Sequence, residues 1–149
     1  MITLEELRNL VMGLLVRVGA LEDAGVFVPA RAPYTSTSWD GDAYSTTAPT
    51  LIDLSAVFGV PAGVKAVLAR ISCKDTGSAG GSGYYVYLSP TDAAATAPLV
   101  VRPSGLPNSY WAEGEGIVPC DGNGDLYVAI GASGAGTMTV HIQIWGWWL

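Results

Sequence analysis

Two rhythms of hydrophobic and polar positions divide this chain. Over residues 3–24 the apolar side chains of Leu4, Leu7, Val11, Leu14, Val18 and Leu21 recur at alternating spacings of three and four, the a/d repeat of a coiled coil. Thr3-Leu4-Glu5-Glu6 opens that helix as a capping box. Leu10 and Leu15 widen the stripe towards three or more helices, while Val at a with Leu at d pulls towards two, so the heptads alone leave the number open. Arg17 and Glu22 are spaced to pair across parallel, in-register helices. The alternative is an amphipathic helix folded onto its own domain. Gly13 and Gly19 each cost about 1 kcal/mol relative to Ala, so a bundle this short needs most of its association from the domain that follows.

Gly25 and Pro29 end the helix, and the stretch up to Pro49, rich in Ser, Thr and Pro, reads as an extended linker that is ordered only along a neighbour. From Thr50 the rhythm changes to period two. Strands are expected near 51–58, 64–73, 83–89, 97–102, 109–119, 125–132 and 136–147, separated by Gly, Pro and Asn-Asp turns. The expected organisation is therefore a coiled-coil α-helix (1–25), an extended linker (26–49) and a mainly β domain (50–149), an antiparallel β-sandwich of jelly-roll type. In the last strand Met138, Val140, Ile142 and Ile144 point one way, and Thr139, His141, Gln143, Trp145 and Trp147 the other. Trp145, Trp147 and Trp148 crowd together there and are read as a subunit or partner surface. Tyr84, Val86 and Leu88 alternate with Tyr85 and Tyr87, so both faces of that strand are expected to be covered.

Composition sharpens this picture. Half of the 149 residues are hydrophobic and only 13% are charged, against about 25% in an average chain, which excludes disorder for most of the chain and favours self-association. The 7 basic and 13 acidic residues give a net charge of −6 without a basic cluster, so neither nucleic acid nor a membrane is an expected partner. The run Leu10 to Val16 is too short to span a bilayer, and Glu5 and Glu6 occupy the place of a signal's positive segment. Synthesis in the cytosol is expected.

No reaction chemistry stands out. The sole histidine, His141, lies between Val140 and Ile142 on a strand, as a structural or interface residue would. One His and two distant Cys make no zinc site, and Cys73 and Cys120, each at the end of an apolar run, read more readily as unpaired buried thiols than as a disulfide. Asp121, Asn123 and Asp125 have the spacing of calcium ligands, but Ala132 replaces the bidentate Glu, which leaves a Gly-rich turn. Glu113 and Glu115 share one strand face, as a glycosidase pair could, yet Gly114 and Gly116 suggest a bend instead. The Gly77–Gly83 stretch lacks the Lys-Ser/Thr of a phosphate loop and reads as a hairpin loop. Catalytic residues, cofactor and metal are each expected to be none. Trp39, Tyr44, Tyr110 and Trp111 could stack on sugar rings or serve an interface.

A short heptad helix, a Ser/Thr/Pro linker, a Gly-rich β domain and a strand reading Ile142-Gln143-Ile144-Trp145-Gly146-Trp147-Trp148-Leu149 together resemble small bacteriophage virion proteins, namely tail or head fibres and capsid decoration proteins. The resemblance implies a non-enzymatic homotrimer that attaches to other virion proteins (capsid, baseplate or tail) through one end and displays its β domain outward, with a host-surface glycan as a further partner. The virion, assembled in the host cytoplasm, is the expected location. The alternative function is a carbohydrate-binding module or lectin using the exposed aromatics.

Overall fold

The computed structural model describes residues 5–8, 11–12, 25–36 and 38–149. Residues 5–8 and 11–12 are helical and carry Leu7 and Val11 nearly half exposed, at 46% and 48%. The other a/d positions, Leu4, Leu14, Val18 and Leu21, lie outside the described residues.

The remainder is mainly β. In chain order it comprises β1 (Phe27–Tyr34), a 3-10 turn (Gly41–Tyr44), β2 (Thr50–Ile52), a one-turn helix α1 (Leu54–Phe58), β3 (Ala66–Asp75), β4 (Tyr85–Ser89), a second 3-10 turn (Ala94–Thr96), β5 (Leu99–Val101), β6 (Ala112–Pro119), β7 (Leu126–Gly131) and β8 (Met138–Trp148). Two antiparallel four-stranded sheets result, ordered β1-β8-β3-β6 and β2-β7-β4-β5. Strict alternation drives this: all five even-phase residues of β3, from Val67 to Asp75, are buried and their neighbours are not. Val67, Ile71, Val118, Ile142 and Ile144 of the first sheet meet Val86, Leu88, Leu126, Val128 and Ile130 of the second in one core.

Four expectations need correction. Residues 26–49 are not simply an extended linker, because Phe27–Tyr34 pairs with β8 as an edge strand, where Pro29 and Pro33 cost no ladder hydrogen bonds to a further neighbour. The span 51–58 is not one strand. Asp53 caps the Ala56 amide and Gly59, at φ +75°, closes α1, so only Thr50–Ile52 remains extended. The alternation in β8 also breaks. Ala69 pairs with Ile144 but Leu68 with Gly146, so one extra residue is inserted at Trp145. Beyond this bulge the phase inverts, and Trp147, 8% exposed, packs into its own chain's core rather than a subunit surface. Finally, β3 and β6 pair without a break in register, so Gly114 and Gly116 make no bend. They face the second sheet, where a Cβ on Gly114 would sit 2.7 Å from Val101 Cγ2.

Both cysteines are free, Cys73 in the core and Cys120 half-buried. Burial pushes the Cys73 thiol up to about 12, and burial followed by the charges of Asp121 and Asp125 does the same for Cys120. Since the thiolate is the reactive form, neither is expected to react with Ellman's reagent at pH 8 until the protein is denatured. Rapid release of two thiolates from native protein would contradict this.

Candidate functional site

The outer face of the first sheet carries most of the side chains that sequence reasoning singled out. At the end where residues 25–26 join β1, Phe27 packs against Trp148 with ring centroids 4.4 Å apart. Trp145 shares a shallow groove with Phe27, Pro29, Leu68, Arg70 and Glu115. Ile117, opposite Leu68 on β6, is 55% exposed, and Val26 and Leu149, hydrogen-bonded to each other at the ends of β1 and β8, are exposed too. Of the three tryptophans expected at a partner surface, Trp145 and Trp148 thus lie outside and Trp147 inside.

In the middle of the face Arg70 pairs with Glu113, whose other oxygen accepts from the Ser72 hydroxyl at 3.0 Å. The hydrogen bond from Arg70, then that from Ser72, lowers the Glu113 carboxyl. That shift is opposite to the one a proton-donating glycosidase acid needs.

Farther along, the Trp111 ring lies 5.1 Å from that of His141, with Lys74 Nζ 4.9 Å above the indole. Asp42 approaches Thr139, His141 and Lys74 from the first 3-10 turn, and burial, reinforced by Asp40, raises its carboxyl. The ladder of β1 on β8 stops at the Tyr34–Ile144 pair, leaving a cleft of about 230 Å³ between the departing chain and β8. Thr35, Ser36 and Trp39 form one wall, and His141 and Gln143 the other, with Phe58 at its base. Ser36 shapes the wall by accepting from the Ser38 and Trp39 amides. Trp39 stacks on Tyr44 at 5.6 Å and 12°. The four aromatics proposed for sugar stacking are therefore not one platform: Trp39 and Trp111 flank His141, Tyr44 backs Trp39 against the core, and Tyr110 is an isolated exposed ring.

Away from this face, the Asp121–Asp125 segment is a hydrogen-bonded turn. Asp121 accepts from the amides of Asn123 and Asp125, and Asp125 accepts from the Leu54 amide. Tyr85 and Tyr87 stack at 5.8 Å on the outer face of the second sheet, and Tyr87 is buried. Sequence reasoning missed Asp75. Its carboxylate, 3% exposed, gathers the Gly77, Ser78 and Ser133 amides and the Ser133 hydroxyl. The Asp75-Thr76-Gly77-Ser78 run carries the signal, since Asp before Gly-Ser invites a side-chain turn.

Among the described residues no group of three or more His, Cys, Asp or Glu could hold a metal ion, and no helix is long and apolar enough to cross a membrane. Comparison with known proteins gives no match: no family model, no curated protein and no solved structure is similar to this chain.

Proposed function

We propose that this chain is a non-enzymatic structural protein of a bacteriophage virion, a homotrimeric tail or head fibre or a capsid decoration protein. The observation that carries the reading is the apolar patch of Phe27, Leu68, Ile117, Trp145 and Trp148 on the outer face of the first sheet, with exposed Val26 and Leu149 at the strand ends where the N-terminal segment enters the domain. Helices in a parallel bundle pack about 8–10 Å apart, so a coiled coil over residues 3–24 brings the Gly25 positions of its copies together. The surface beside Gly25 then faces the shared axis, which is where this patch lies. Exposed Leu7 and Val11 extend the same apolar character onto the helix. Pairing of β1 with β8, β2 with β7, β3 with β6 and β4 with β5 supports reading the two sheets as a jelly roll, an architecture that capsid and lectin domains use.

Placing a charge in the patch tests this without touching the core. Phe27→Asp and Ile117→Asp are each expected to convert the trimer to monomer at micromolar concentration while leaving the circular dichroism of the β domain unchanged. Elution at the wild-type position in both variants would remove the patch from the interface. The virion assignment is tested by mass spectrometry of purified particles, in which the chain should recur at fixed stoichiometry; particles that lack it would contradict the assignment.

A further inference from the structure

We infer that the cleft that Thr35, Ser36 and Trp39 form with β8 binds a neutral saccharide, one sugar ring at a time. Its volume of about 230 Å³ equals the room of about eight waters, enough for a single ring and too little for a folded peptide segment. Trp39 supplies an aromatic wall whose other face is braced by Tyr44, so the indole does not have to be ordered on binding. Opposite it, the Gln143 amide and the His141 imidazole have no hydrogen-bond partner among the described residues, and neither does the Thr35 hydroxyl. An amide, an imidazole and a hydroxyl offer donors and acceptors together, which suits hydroxyl groups that do both. The edge of β8 along this cleft is also unpaired beyond Ile144.

The charge around the cleft sets the chemical class. Among the described residues no formally charged side chain lines the cleft, and next to His141 the Asp42 carboxyl and the Lys74 ammonium stand together, so neither sign of charge is favoured and the site takes neutral sugars. Trp111, packed on the far side of His141, holds that imidazole in place as part of the cleft wall. The cleft lies about 20 Å along β8 from the Phe27–Trp148 end, at 3.3 Å per residue. In a trimer joined through that end it stays open to solvent, and because one chain supplies all of its walls it does not require the trimer.

The test is a titration of the full chain with glucose, galactose, mannose, N-acetylglucosamine and rhamnose in turn, followed through the ¹⁵N indole resonances. At least one sugar is expected to shift the Trp39 and Trp111 signals at millimolar concentration. Gln143→Ala should weaken its binding about tenfold, the loss of one or two hydrogen bonds, and Trp111→Ala about threefold to tenfold. Trp39→Ala, which removes the aromatic wall, should also weaken it, and Tyr85→Phe on the other sheet should leave it unchanged. The inference is overturned if none of the five sugars shifts these signals, or if the one that binds does so equally well to Gln143→Ala and Trp111→Ala.

Discussion

Asp75→Ala is expected to lower the unfolding free energy by about 3–5 kcal/mol, a large share of the roughly 5–15 kcal/mol that holds a domain of this size. Asp75 stands at the end of β3 and ties two loops to it: Oδ1 accepts from Gly77 N at 2.8 Å and Ser133 Oγ at 2.6 Å, and Oδ2 from Ser133 N at 2.7 Å. Truncation strands those donors in a buried place, which costs more than the bonds themselves contribute. Asp75→Asn is not expected to rescue, because either orientation of the amide turns an NH₂ towards a backbone N–H. Burial raises the Asp75 carboxyl, but the Ser133 bonds, then those from Gly77 and Ser78, outweigh it and leave the carboxyl below its ordinary value of 3.8. A depressed carboxyl contributes stability above that ordinary value, and the contribution is lost as pH falls through the folded-state value. The difference between wild type and variant should therefore be full at pH 7 and shrink below about pH 4. Urea unfolding at the two pH values checks it; equal midpoints at pH 7 would contradict the role given to Asp75.

Gly80→Ala should be the most damaging small change in the loop between β3 and β4. A Cβ at that position would overlap the Pro103 carbonyl oxygen, a backbone atom that no side-chain rotation can move away. The loop is clasped there by Gly80 N to Leu106 O at 2.8 Å and Gly105 N to Gly80 O at 3.1 Å, so separating the two segments also breaks both bonds. Overpacking of this kind costs about 3 kcal/mol, or roughly 10 °C in melting temperature for a domain of this length. Gly83→Ala, three residues on and with open space around it, is the internal control and should be nearly silent. Equal melting temperatures for the two variants would show that the clasp yields freely.

Strands whose two faces meet different surroundings are legible in the residue pattern alone. β3 and most of β8 alternate because one face meets the second sheet and the other does not. β1 escaped because Pro29, Arg31 and Pro33 read as linker, and the proline rule relaxes only for an edge strand, a property of the sheet rather than of the segment. The bulge at Trp145 is likewise set by the partner strand, and with it the side on which Trp147 falls. Gly114 and Gly116 look like strand breakers but serve close approach to Val101 and Leu99 across the core.

The candidate site was legible as residue types and not as an arrangement. Trp39, His141 and Trp111 stand far apart in sequence and meet only because β6, β8 and the first 3-10 turn converge on one face. Gln143, an ordinary outward residue by its position in β8, gains its meaning from the place where β1 leaves that strand. Asp75 was hidden for a related reason: its heaviest contacts, to Ser133, are with the loop before β8.

Sedimentation equilibrium of the full chain at low micromolar concentration measures the association on which the proposed function stands. The account predicts a single species of three times 15.4 kDa. A species of 15.4 kDa, or a dimer, would contradict it.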